Sequence, residues 1–468
     1  MIKNEERVGV VMSVGMNGEG VLKDEDKIVF VPFALPEEKI RYKVLKVTKA
    51  CAFGKVLEVI TPAEERIREA CPVFGKCGGC QLQHVRYGKQ LDIKEQNVKT
   101  CFRKIANINV DVHKTVKGDG EFRYRNKLQL PVVEKDNKTV IGFYANNSHR
   151  VVEISDCLIN GNWVKGIIEA FKQYFIECNV KGYDEINHKG EVREITVKEV
   201  KDNLLITVVT LGNQLKRVDR LIEILKEKIK FNFSLFQNVN REKTNVVFGD
   251  EYKLLYGSKE YSSEMLGIRY KVGVQSFIQV NTSVCKKLYS EVRDLVDADQ
   301  FTTVIDAYSG AGLMTALLSV KAKKAIGVEI IKEAVDIANE LAKTNGLQDK
   351  ISNYNGKCEE LLPSLIKEEK SQGNKTTLVL DPPRKGVDLK VIKAINESQI
   401  DKIVYVSCLP STLARDVGLI VGTLEEVNGE IVKAKEPKER YEVKMVKTFD
   451  MFPQTKHVET LVCMTRKG

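Results

Sequence analysis

Thr302-Thr303-Val304-Ile305-Asp306-Ala307-Tyr308-Ser309-Gly310-Ala311-Gly312 decides the fold of this chain. A β-branched run ends in an acid, a turn bearing two glycines follows, and the text after Gly312 is helical. Glycines at a strand-to-helix turn let the backbone approach a ligand closely, at the edge where open α/β sheets place their chemistry. Working outward, residues 325–329, 376–381 and 402–407 are further strand-like runs with helical text between them. That alternation predicts a parallel, doubly wound sheet from about residue 297 onward.

Three of those runs end in residues with chemical possibilities. The second ends in Glu329, an acid able to accept hydrogen bonds from ribose hydroxyls. The first turn lacks the third glycine that supports close pyrophosphate packing, which counts against a nicotinamide dinucleotide and for a nucleoside such as S-adenosylmethionine. The third run closes on Asp381-Pro382-Pro383-Arg384-Lys385-Gly386, where two prolines stiffen a loop that holds the aspartate over the sheet edge. Amino-group methylases carry an aromatic residue after a similar Asp-Pro-Pro; Arg384 stands there, which points away from nitrogen as acceptor. The fourth ends in Ser407-Cys408-Leu409-Pro410. A thiol at that position is a nucleophile candidate, and Glu459, within Asp450-Met451-Phe452-Pro453…His457-Val458-Glu459-Thr460, is a base candidate. Most free cysteines are inert core residues, but the neighbouring motifs favour chemistry here.

The 468 residues exceed one ordinary core, so two to four domains are expected. With 43% apolar and 29% charged residues, the composition is that of a soluble globular protein. The start, MIKNEERVGVV, has charges where a signal peptide needs an apolar run, and no run is long enough to span a bilayer. The expected location is the cytoplasm, with no membrane partner. A net charge of +10, from 74 basic and 64 acidic residues, is compatible with a polyanionic partner. Eleven cysteines without an export signal argue for thiols, metal ligands or catalysis rather than disulfides.

Residues 1–60 read as an OB-like β-barrel, with strands at 8–13, 20–22, 27–31, 40–47 and 54–60. Residues 61–270 read as a cysteine-bearing segment followed by an α+β domain, with an amphipathic helix over 87–105 and a hairpin turning at Lys201-Asp202-Asn203. Residues 271–468 are the regular α/β part, so the fold expected is multidomain.

Cys408, Glu459, the Asp381 loop and Gln279-Val280-Asn281, in this order, resemble the RNA (uracil-C5)-methyltransferase family. Cys71-x₅-Cys77-Gly-Gly-Cys80, with Cys157 in Ser155-Asp156-Cys157-Leu158, resembles the cluster-binding cysteines of the branch that acts on 23S ribosomal RNA. The N-terminal barrel resembles that branch's TRAM domain, so the likeness spans nearly the whole chain. It implies a Rossmann-like methyltransferase domain in which Gln279, Tyr308, Glu329 and Asp381 bind S-adenosylmethionine. It further implies Cys408 as nucleophile, Glu459 as proton acceptor, and Cys71, Cys77, Cys80 and Cys157 as ligands of a [4Fe-4S] cluster. Two positions depart from the pattern: Leu409 where members often have Asn, and Ser309 where some have Cys.

Carbon-5 of uracil needs activation before it can take a methyl group. A thiolate adding to carbon-6 supplies it, and a base must then remove the carbon-5 proton. His457 reads as a solvated loop histidine rather than that base. The target atom is shielded in stacked RNA, so the nucleotide must be flipped out or single-stranded. Arg123-Tyr124-Arg125-Asn126-Lys127 interleaves charge with an aromatic and is the leading RNA-contact segment. By residue type alone the four cysteines could also bind zinc, although a second Cys-x₂-Cys unit is missing. The other cysteines, at 51, 101, 178, 285, 358 and 463, read as small buried hydrophobes. The expected partner is RNA, 23S ribosomal RNA first and transfer RNA as the alternative, with no DNA and a monomer as the default state. A non-catalytic RNA-binding module would leave Cys408, Asp381 and Glu459 idle. A DNA cytosine methylase would place Pro where Ser407 stands.

Overall fold

The computed structural model describes residues 1–136, 138–398 and 400–467. At the N-terminus six strands form one sheet: Glu6–Val10, Ser13–Val14, Glu19–Asp24, Lys27–Pro32, Lys39–Val47 and Cys51–Thr61. Alternation puts Leu22, Val29, Val31, Ile40, Tyr42 and Val44 on one buried face. Where a single strand over 8–13 is expected, the chain kinks, because Val11 N–H donates to Glu38 O and Met12 N–H to Val21 O. Glu6–Val10 pairs with Lys39–Val47, and Ser13–Val14 pairs with Glu19–Asp24. One segment therefore covers both ends of the sheet, which leaves little open edge.

The middle of the chain builds a seven-stranded sheet from Lys127–Lys135, Lys138–Tyr144, Val151–Glu153, Val192–Val200, Asn203–Thr210, Asn232–Val239 and Glu251–Tyr256. Helices Val164–Glu177 and Val218–Lys228 bury Phe171, Tyr174, Leu221 and Leu225 against it. The hairpin turns as expected, with Val200 opposite Asn203 and Lys201 in the left-handed region at φ 55°.

The C-terminal sheet has eight strands. In spatial order they are Ile351–Asn355, Lys324–Glu329, Thr302–Ala307, Lys375–Leu380, Lys402–Ser407, Glu459–Arg466, Tyr441–Phe449 and Val112–Val116. The first five are mutually parallel, and Glu459–Arg466 runs antiparallel beside Lys402–Ser407. Chain order reverses between Thr302–Ala307 and Lys375–Leu380, which opens a crevice at their carboxyl ends. The outer strand Val112–Val116 comes from the part of the sequence read as the central segment, so residues before 271 complete this sheet.

The expected helix over 87–105 is α-helical over Tyr87–Cys101 and then widens to a π turn, Phe102–Ala106. Its buried stripe carries Lys94, whose ammonium reaches Asp450 at 2.5 Å and Phe452 O at 3.0 Å, with both charged side chains 0% exposed. Burial pulls the Lys94 ammonium down, against the opposing attraction of Asp450. Tyr87 donates to the other Asp450 oxygen at 2.8 Å, and Gln90 bonds Gln454 at 3.0 Å. This helix thereby anchors the segment that leads to Glu459. Among the described residues, no helix is long and apolar enough to cross a membrane.

Candidate active site

Strand register builds the centre of the site. Ser407 lies opposite Thr460, so Cys408, leaving the end of one strand, abuts Glu459 at the start of its antiparallel neighbour. Glu459 is buried, and burial pushes its carboxyl up to about 8, helped by the Asp381 charge and opposed by Arg384. The Cys408 thiol is half-buried and also raised, by burial first and then by Glu459; Arg384 faces it and pulls it back down. A carboxyl near neutrality beside a thiol and a cation suits a proton acceptor paired with a nucleophile. Arg384 was legible in the sequence only as a missing aromatic; the structure makes it the cation shared by Cys408 and Glu459.

Asp381 follows the strand at the point where chain order reverses. Solvent reaches it, yet it sits deep in the crevice, and loss of bulk hydration raises its carboxyl. The loop beyond it is tied down: Asp416 accepts from Val387 N–H at 2.8 Å and from the Tyr405 hydroxyl at 2.7 Å, and Arg415 donates to Lys385 O at 2.9 Å.

Across the crevice, Tyr308, Gly310 and Gly312 have φ of 66°, 54° and 79°. A Cβ on Gly312 would lie 2.6 Å from that of Ala338, so only glycine fits, whereas Gly310 faces open space. Glu329 accepts from Gly310 N–H at 3.0 Å and from Ile331 N–H at 2.8 Å, which fixes its carboxylate at the rim of that space. Gln279 lies half-buried on the loop before helix Thr282–Val296. Asn126 pins that loop, donating to Gln279 O at 2.9 Å and to Thr282 Oγ1 at 3.1 Å. The sheet edge thus gathers Tyr308, Glu329, Asp381 and Cys408, with Glu459 beside Cys408. An open glycine turn flanked by fixed carboxylates is a fit cradle for a nucleoside.

Cys71, Cys77, Cys80 and Cys157, expected as cluster ligands, lie near enough for their charges to act on one another. All four are half-buried, and burial raises Cys80 to about 12 and Cys157 to about 11, with Cys71 and Cys77 acting on both. Backbone bonds shape the loops: Cys77 N–H donates to Val73 O at 2.9 Å and Gly78 N–H to Tyr144 O at 3.0 Å. Among the described residues, no three His, Cys, Asp or Glu side chains converge as a single ion requires.

Two expectations, on His457 and Cys51, are corrected, and the segment Arg123-Tyr124-Arg125-Asn126-Lys127, expected to contact RNA, has several of its polar groups engaged within the chain. Arg123 pairs with Asp156 at 2.6 Å, next to Cys157, and Tyr124 donates to Pro453 O at 3.0 Å. Asn126 is buried under the Gln279 loop, so most of the segment knits domains together. His457 is half-buried and packs edge-on to Phe452 at 5.9 Å. Burial first, then Arg384, Lys456, Lys94 and Arg125, lowers it to about 4. Cys51 is half-exposed beside Thr48, whereas Cys101, Cys178, Cys285, Cys358 and Cys463 are buried as expected.

A family profile described as tRNA (Uracil-5-)-methyltransferase matches residues 86–467. An uncharacterized RNA methyltransferase of Clostridium tetani is 36% identical over 98% of this chain and 96% of its own length. One from Halalkalibacterium halodurans is 36% identical over 100% of this chain and 98% of its own. Among solved structures, the Pyrococcus abyssi tRNA (uracil-54, C5)-methyltransferase in complex with S-adenosyl-L-homocysteine superposes with a TM-score of 0.75. It is 23% identical, with 98% of this chain and 100% of that one covered, and the likeness is one of fold.

Proposed function

The chain belongs to the tRNA (uracil-5-)-methyltransferase family, and from that premise we propose that it methylates carbon-5 of a uridine in 23S ribosomal RNA. The observation that carries the reading is the register of Ser407 with Thr460, which seats the Cys408 thiol beside the Glu459 carboxyl. S-adenosylmethionine, held by Gln279, Tyr308, Glu329 and Asp381, supplies an electrophilic methyl group to this crevice. Cys408, as thiolate, forms a bond to carbon-6 of the uracil, and the electron pair moves to carbon-5 and its conjugated carbonyl. Carbon-5 takes the methyl group as the methyl–sulfonium bond breaks and S-adenosylhomocysteine leaves with that electron pair; Glu459 then removes the carbon-5 proton, the 5,6 double bond re-forms, and the carbon-6–sulfur bond breaks to return the Cys408 thiolate. Arg384 favours the thiolate at the first step and the ionised Glu459 at the proton removal.

The four gathered cysteines and the N-terminal barrel, read as TRAM, support ribosomal RNA as substrate and a [4Fe-4S] cluster bound by Cys71, Cys77, Cys80 and Cys157. The cluster would brace the joint between the barrel and the central domain. The protein would work as a cytoplasmic monomer on RNA alone. Labelled methyl transfer from S-adenosylmethionine to transcripts of 23S ribosomal RNA and transfer RNA, with Cys408→Ala as control, tests the substrate. Label on ribosomal RNA that the variant abolishes is expected; label on transfer RNA alone would move the substrate, and none on either would sink the reading. Anaerobic purification should give a brown protein, whereas a colourless one with stoichiometric zinc would overturn the cluster.

A further inference from the structure

We propose that Lys198, in the central sheet, is a positioning residue for the loop that presents Gln279 to the methyl donor. The inference rests on the reading of Gln279 as a donor-binding side chain.

Strand Val192–Val200 passes beneath the turn that follows strand Ile268–Gly273. Ser276 N–H donates to Gly273 O at 3.2 Å and Gly273 N–H to Ser276 Oγ at 3.0 Å, so the turn closes tightly and aims its carbonyls at one point. The Lys198 ammonium occupies that point. It donates to Ser276 O at 2.6 Å, to Val274 O, and to Gly273 O at 3.5 Å. An ammonium has three donors and no acceptor, which suits the Val274 and Ser276 carbonyls, with Gly273 O, already bonded by Ser276 N–H, at the edge of its reach.

The placement is energetically demanding, and that makes it informative. Lys198 is 6% exposed, and the residue opposite it in register is another cation, Lys127. Burial, with Lys127 adding to it, lowers the ammonium to about 7. An apolar side chain would relieve that penalty but would strand the Val274 and Ser276 carbonyls without a donor. Lysine therefore serves the turn rather than the sheet.

The other end of the loop is held from the same sheet. Asn126 N–H donates to Val280 O at 2.9 Å, and its side chain donates to Gln279 O at 2.9 Å. Between the two anchors Phe277 projects 78% exposed. The stem is thus clamped at both ends by the central domain while the tip stays open to the crevice. Loss of one clamp leaves Gln279 attached but misplaced, which affects binding of the donor rather than the reacting pair.

The test uses the full chain with Lys198→Met and Lys198→Arg, and Gln279→Ala in parallel. Calorimetric titration with S-adenosylhomocysteine is expected to weaken about tenfold in Lys198→Met, with recovery to within about threefold in Lys198→Arg, which keeps the charge and donors. Hydrogen exchange of residues 273–281 should quicken in the methionine variant. The rate of Cys408 alkylation should stay as in the wild type, because the thiol and its neighbours are untouched. In the transfer assay the KM for S-adenosylmethionine should rise with kcat nearly unchanged. If Gln279→Ala weakens binding while both Lys198 variants bind as the wild type, the clamp is refuted. If Gln279→Ala itself binds normally, the donor-binding reading of Gln279 falls instead. Should the methionine variant not fold, Lys198→Gln replaces it, and unchanged affinity and exchange there refute the clamp equally.

Discussion

Replacing Lys94 by Met removes one half of an ion pair in which both side chains are 0% exposed. Methionine fills most of the stem volume, so packing changes little and the dominant effect is the Asp450 carboxylate left buried without its cation. Breaking such a pair costs about 3–5 kcal/mol. Tyr87 still donates to Asp450 at 2.8 Å, so the lower end of that range applies. The loss is local: Lys94 also holds Phe452 O, within the segment that leads to Glu459. Native-state hydrogen exchange of residues 450–459 reads the local opening free energy without requiring a single unfolding transition. The opening free energy should fall by about 3 kcal/mol in Lys94→Met and by a similar amount in Asp450→Asn, which strands the ammonium. The double variant should fall by far less than their sum, because no charge is left buried, with a coupling of about 2 kcal/mol or more. Single losses below about 1 kcal/mol, or a double loss equal to the sum, would refute the claim that this pair holds the segment leading to Glu459.

Three further outcomes follow from the site. Because burial raises Glu459 to about 8 and also raises Cys408, kcat/KM for methyl transfer should climb with pH toward a plateau above about 8; a flat profile over neutral pH would contradict Glu459 as the base. Arg384→Ala should slow alkylation of Cys408 about tenfold at neutral pH, since the cation facing the thiol is lost, and an unchanged rate would remove Arg384 from the site. Gly312→Ala, whose Cβ would lie 2.6 Å from that of Ala338 at a φ of 79°, should weaken S-adenosylhomocysteine binding at least tenfold; normal titration would show that the turn tolerates a side chain.

The parallel strands were legible because buried strands of this kind are continuous β-branched runs that end at chemically distinctive residues. Thr302–Ala307 and Lys402–Ser407 lie within a residue of their expected bounds. Cys408 and Glu459 were legible as types, but their adjacency depends on an antiparallel strand inserted beside a parallel one, which only register reveals. Lys94 gave no signal, since its partner lies 356 residues away and a lysine on a helix ordinarily faces water. His457 was misread for the same reason: Arg125 and Arg384 reach it from remote segments. Arg123 read as an RNA contact because a free charge and an ion-paired one are identical in sequence, and only the structure shows its partner Asp156.

The outer strand Val112–Val116 has a consequence for how the chain is made. Thr115 meets Thr448 across 333 residues of sequence, so the emerging polypeptide carries an unmatched strand while the whole central domain folds. That contact closes late and entropically dearly, and the same late stretch brings in Glu459. A chain stopped short of it can possess the crevice and the Cys408 thiol, yet lacks the carboxyl that the register seats beside that thiol. The meeting of Cys408 with Glu459 is therefore among the last arrangements that the sheet completes.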